Sequence, residues 1–133
     1  MGRVAKAVGV LCATLVLAAC GGSSSSEWTG LRSVRVTVAQ PGLPPPYGLP
    51  KTTSFTTSGE LARVTSQLNS HHIVQASSSS SSTGCAGGFQ IQIVIVRTNA
   101  ATAKLSAYRC ANQTSGTVSG DLVGFLKAIG VSV

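Results

Sequence analysis

Thirteen residues near the N-terminus, Ala7 to Ala19, are apolar apart from Gly9 and Thr14, and they run straight into Cys20. Arg3 and Lys6 stand before them. A basic start, an apolar stretch of about 7–15 residues and small residues at its end are the marks of an export signal. The stretch falls short of the roughly 20 residues that a transmembrane helix needs. A buried core helix, the other reading, leaves the basic start and the small residues before Cys20 without a purpose. Residues 1–19 are therefore read as a signal peptide, and any fold must be built from the remainder of the chain.

The segment closes with Leu17-Ala18-Ala19-Cys20. This resembles the lipobox of bacterial lipoproteins, Leu-Ala-(Ala or Gly)-Cys at the end of an apolar run. The resemblance implies that the Cys20 thiol receives a diacylglycerol and that cleavage leaves Cys20 at the head of the mature chain. It also implies a place on the cell membrane, lipid-anchored on the extracytoplasmic face, with the covalent lipid as the membrane contact. Two acyl chains hold stably where one binds only marginally, at about 0.8 kcal/mol per buried CH₂. A secreted protein cut nearby is the alternative. Residues 20–30 include Gly21-Gly22 and Ser23 to Ser26, and Gly/Ser composition reads as a flexible tether.

With Cys12 in the signal and Cys20 lipidated, Cys85 and Cys110 remain as one pair in an oxidising compartment. A structural disulfide is expected, since neither a C-x-x-C spacing nor a basic setting beyond Arg109 marks a redox pair. Closing a loop of that length contributes roughly 3–4 kcal/mol by chain entropy.

The rest of the chain, residues 31–133, reads as one domain. Val34, Val36 and Val38 alternate with polar residues, as in a half-buried strand. Residues 40–51 hold five prolines, at 41, 44, 45, 46 and 50, and so form a stiff loop of polyproline II character. Thr57 and Glu60 make a capping box for a helix over about 58–69, with Leu61, Val64 and Leu68 on one face. A Ser-rich loop comes next, at 76–84. Phe89, Ile91, Ile93 and Ile95 form the strongest strand, apolar on both faces towards its end and so central. It turns at Asn99-Ala100 and returns through Ala103 to Cys110. Ser119 is expected to cap a last helix carrying Asp121 in its first turn, and Gly130 to end it. Further strands are possible at Phe55 and at Ile73-Val74. The fold class is α+β: a small, largely antiparallel sheet of three to four strands, covered by two helices and closed by one disulfide. A Thr-capped helix ending in Leu-Asn, a Cys, a strand pair, a second Cys and a closing helix together resemble small actinobacterial lipoproteins. That resemblance implies an architecture and no activity.

Chemistry is restricted by a shortage of acids. Glu27, Glu60 and Asp121 are the whole supply. Glu60 is used by the helix cap and Asp121 by the helix dipole, which leaves no pair of carboxylates for a glycosidase. No G-x-S-x-G elbow or S-x-x-K site is present, and the glycines at 84, 87 and 88 precede a strand and so build no phosphate loop. His71 and His72 are weak metal candidates, with no carboxylate expected nearby, and read better as a solvated helix terminus. No metal and no cofactor are expected. Eight basic residues in the mature chain, Arg32, Arg35, Lys51, Arg63, Arg97, Lys104, Arg109 and Lys127, are dispersed without interleaved aromatics, which argues against nucleic acid as a partner. The expected function is a lipid-anchored, non-enzymatic binding or scaffolding protein of the cell envelope, whose partner or ligand there the sequence leaves open. The alternative is a peptidase inhibitor that presents its Pro-rich loop to a cleft, with an enzyme third.

Overall fold

A computed structural model describes residues 27–77 and 85–133. The segment read as a signal peptide, Cys20, most of the expected tether and the Ser-rich stretch at 78–84 lie outside the described residues. The elements are β1 (Leu31–Ala39), β2 (Lys51–Phe55), α1 (Ser58–Ser70), β3 (Val74–Gln75), β4 (Phe89–Arg97), β5 (Thr102–Cys110), β6 (Gln113–Gly116), β7 (Val118–Ser119) and α2 (Leu122–Ala128). The α+β class holds, with more strands than expected. A five-stranded antiparallel sheet runs in the order β2-β1-β4-β5-β6, and β3 and β7 form a separate two-stranded ribbon.

Period-two alternation sets the sheet's two faces. In register, Val34 faces Ile95, Val36 faces Ile93 and Val38 faces Ile91 across β1 and β4; Ile93 and Ile91 in turn face Leu105 and Ala107 of β5. All of these are buried, and α1 and α2 close over them with Val64, Leu68, Leu122, Phe125 and Leu126. β4 is central, which is why its far face also carries Val94 and Val96. The rest of that far face is Thr37, Gln90, Gln92, Ser106 and Arg35 with Lys104, a polar sheet surface that neither α1 nor α2 covers.

Two strands extend the expected sheet, and β3 pairs with β7 outside it. β2 adds the edge beside β1; four of its five residues are exposed, so only Phe55 enters the core and no burial alternation announced it. β6 adds the other edge through Gln113 to Gly116. Ile73-Val74 contributes Val74 to the ribbon, while Ile73 itself is buried in the core.

The largest difference lies at the N-terminal end. Trp28, assigned to the tether, is 1% exposed and belongs to the core. Its indole Nε1 donates to the Ile73 carbonyl, and the Arg97 guanidinium lies 5.4 Å from the ring centroid. The packed domain thus begins at Trp28 and not at residue 31.

Both helices end in the same way. At α1, Ile73 N–H donates to Leu68 O at 2.8 Å and His72 N–H to Asn69 O at 3.1 Å, with His72 at φ 53°. At α2, Val131 N–H donates to Leu126 O and Gly130 N–H to Lys127 O, with Gly130 at φ 83°. These are Schellman closures, each with an apolar pair (Leu68 with Ile73, Leu126 with Val131) buried beside it. The capping box at Thr57 and Glu60 forms as expected. The start of α2 differs: Asp121 is the N-cap, its carboxylate accepting from Gly124 N–H at 2.9 Å, and Ser119 instead pairs with Val74 in the ribbon. The separation is enforced by Gly120, at φ 108° and packed so closely on the His72 carbonyl that a Cβ has no room there.

Cys85 and Cys110 form the expected disulfide, with Cα atoms 6.0 Å apart. Tyr108 reinforces it: its hydroxyl donates to Cys85 O at 2.8 Å and accepts from Cys85 N–H at 3.2 Å.

Candidate functional site

The two histidines part company in the fold. His72 is exposed and supplies the left-handed position that ends α1. His71 is brought against a carboxylate from 50 residues away: its Nδ1 lies 3.1 Å from Asp121 Oδ2. The expectation that no carboxylate stood near these histidines is thus corrected, because the β3–β7 ribbon folds the start of α2 back onto the end of α1. Asp121 N–H also donates to the His71 carbonyl at 3.0 Å. A His–Asp pair has the geometry of a base with its orienting group. Among the described residues, however, no hydroxyl or thiol bonds the other ring nitrogen, and no group of three His, Cys, Asp or Glu side chains gathers as a metal site. Both carboxylate oxygens are engaged, Oδ1 by Gly124 N–H and Oδ2 by His71, so the pair is a clasp between helices.

The clasp has a pH signature. The Gly124 N–H first, and the His71 side chain second, hold the Asp121 carboxyl below its ordinary value of 3.8. The Thr57 N–H and hydroxyl do the same for Glu60, whose ordinary value is 4.5. A carboxyl depressed in the folded state contributes stability that is complete above its unfolded value and is lost as the pH falls through the folded one. Asp121→Asn keeps a good N-cap but removes the titration. Its stability deficit, measured by urea unfolding, is therefore expected to shrink as the pH is lowered from about 5 to about 2. A deficit that stays constant over that range shows that the Asp121 charge contributes nothing.

A second feature occupies the end of the sheet where β1 finishes, β4 begins and β5 finishes. Here the Pro-rich loop folds into turns and not into an extended polyproline segment: Leu43 N–H donates to Gln40 O at 3.3 Å and Tyr47 N–H to Pro44 O at 3.1 Å. Gly48 sits directly on the Leu43 carbonyl, where any side chain would collide. The turned loop faces outward with apolar side chains. Tyr47 is 74% exposed, Leu49 53% and Leu43 40%. Val133, from the other side, is exposed as well, so four of the five exposed large apolar residues among those described gather at this end.

Between them lie two shallow cavities that share Phe89 and Val133. The larger, about 360 Å³, is lined by Gly87, Phe89, Arg109, Ala111, Val123 and Val133. The smaller, about 190 Å³, is lined by Val38, Tyr47, Leu49 and Lys51 among others. Among the described residues, no Asp or Glu side chain lines either one. Gln40 Nε2 donates to Gly87 O at 3.2 Å and ties the loop to the strand entry between the two.

Sequence reasoning noted the loop and Arg109 but did not join them. The available signal was the presence of Leu43, Tyr47 and Leu49 in a Pro-rich segment, where apolar residues without strand or helix periodicity have no core to enter. Cys20 lies outside the described residues. No described helix is long and apolar enough to cross a membrane. The sequence matches no family model, no curated protein and no solved structure.

Proposed function

We propose that this chain is a lipid-anchored, non-enzymatic protein of the cell envelope whose domain binds an apolar partner or ligand through the groove between the Pro-rich loop and Val133. The observation that carries the binding reading is the exposure of Leu43, Tyr47, Leu49 and Val133 at one end of the sheet, where Tyr47, Leu49 and Val133 line two cavities. Exposed apolar side chains that cluster, in contrast to scattered ones, mark interaction sites. The lipobox-like Leu17-Ala18-Ala19-Cys20 supports the anchor. Packing of Trp28 shortens the tether to the residues between Cys20 and Trp28, which reach at most about 28 Å when extended. The groove lies at the opposite end of β1 from this attachment, and so faces away from the point of anchorage.

Inhibition of a peptidase is the weaker reading. A segment that enters a peptidase cleft binds extended, as an added strand, whereas residues 40–50 are folded into consecutive turns.

The test is a photoreactive residue placed at Tyr47 in intact cells, with a second at Gln92 on the open sheet face. Light-dependent adducts are expected from position 47 and not from 92. Identical patterns from both positions, or none from 47, refute the groove as the binding surface.

A further inference from the structure

The groove carries a chemical preference that narrows its ligand, an inference that rests on the reading of this end as the binding surface. Arg109 is half-buried in the wall of the larger cavity, and its guanidinium makes no hydrogen bond or ion pair among the described residues. Asp121 feels its charge through space but is bonded to Gly124 and His71 instead. Around Arg109 in the cavity are Phe89, Val123, Ala111 and Val133, which offer it no acceptor side chain. A guanidinium is a planar fork of donors that matches a carboxylate or phosphate bidentately. Held at the edge of a cleft whose other side chains are apolar, it selects a ligand with an anionic head and a hydrocarbon body.

The lining decides between classes of ligand. A peptide brings N–H and C=O groups that need partners wherever they are buried. At this end β1 is paired with β2 and β4, β4 with β1 and β5, and β5 with β4 and β6, so none of these three strands has a free edge to meet those groups. A hydrocarbon chain makes no such demand. The charge count narrows the head: one guanidinium balances one carboxylate, while an alkyl phosphate brings more charge than Arg109 alone neutralises.

We infer that the larger cavity, with Arg109 at its wall, is a binding site for a single-chain amphiphile with a carboxylate head, its hydrocarbon body lying along Phe89 and Val133 towards Tyr47 and Leu49. Dodecanoate below its micelle concentration is the probe, titrated calorimetrically into the Cys20→Ser chain, which lacks the thiol that the lipobox reading acylates. Saturable binding is expected, with dodecanol and acetate each binding at least tenfold more weakly. Arg109→Gln is expected to weaken dodecanoate binding by about ten- to a hundredfold, as for loss of a charged hydrogen bond, and Arg109→Lys by less. Val133→Asp, at an exposed position, adds a like charge beside the head and is expected to weaken binding without touching the sheet. Arg35→Gln, on the open face, leaves it unchanged.

Several outcomes overturn the assignment. Dodecanol binding as tightly as dodecanoate, or Arg109→Gln and Val133→Asp both without effect, removes the anion anchor. Dodecyl phosphate binding more tightly than dodecanoate overturns the carboxylate head. A short acidic, apolar peptide that outcompetes dodecanoate overturns the hydrocarbon body. Absence of dodecanoate binding while Tyr47 still crosslinks in cells overturns this ligand class and leaves the groove standing; loss of both removes the groove itself.

Discussion

On the proposed anchor, replacing Cys20 by Ser is expected to release the protein from the membrane. The expectation follows from where the attachment energy resides. Each acyl chain would contribute on the order of 10 kcal/mol at about 0.8 kcal/mol per CH₂, more than dispersed basic side chains and a few exposed apolar ones can supply. A serine hydroxyl lacks the nucleophilic sulfur that takes the lipid, so both chains are lost at once. In wild type, detergent-phase partition should be complete, and the intact mass should be that of residues 20–133 plus a diacylglycerol. The Cys20→Ser chain should leave the detergent phase when the signal is removed, and should show the mass of the whole chain when it is retained. A wild-type mass with no acyl increment sinks the anchor outright.

Trp28→Ala should cost about 3–5 kcal/mol of folding stability, the range for removing a large buried aromatic. A domain of this size has about 5–15 kcal/mol in all, so one substitution takes a large share. Two contributions add. The core loses its largest fully buried side chain, and the Ile73 carbonyl loses the indole N–H that satisfies it. Trp28→Phe separates them, since it retains most of the packing and gives up the hydrogen bond; it should recover more than half of the loss. Trp28 is the only tryptophan, so circular dichroism in urea is the measurement and not fluorescence. A Trp28→Ala chain within about 1 kcal/mol of wild type, the size of an ordinary single-residue effect, would return residue 28 to the tether.

The Trp28 result also shows what a sequence holds and what it leaves to the fold. Strands β1, β4 and β5 were legible because the apolar residues of their buried face recur with period two, and α1 because Thr57 and Glu60 sit three apart ahead of an apolar stripe. Such signals are local. Trp28 is a single aromatic among Gly, Ser and Thr, and its partners, Ile73 and Arg97, stand 45 and 69 residues away. β2 was nearly silent because an exposed edge strand shows no alternation of burial. Ser119 and Asp121 both qualify chemically as helix caps. The choice between them was made by the ribbon, which takes Ser119 into a ladder and leaves Asp121 facing Gly124 and His71. For the groove, each wall was readable and the joint was not. Only the antiparallel register that places Phe89 opposite Arg109, with Val38 opposite both Lys51 and Ile91, brings the Pro-rich loop and Arg109 to the same end.

The burial of Trp28 has a mechanical side. If Cys20 carries the proposed lipid, tension on the tether enters the fold at one point, just ahead of β1. Trp28 is held there by Ile73 and Arg97, and Thr98 N–H is bonded to the Gly30 carbonyl at 2.8 Å. β1 itself lies between β2 and β4, hydrogen-bonded along both sides. A pull along its axis therefore loads two ladders in shear together, in place of peeling one bond after another. Under tension the lifetime of a fold is governed by its unfolding rate and not by its equilibrium stability, and the strand that meets the load is one the sheet grips from both sides.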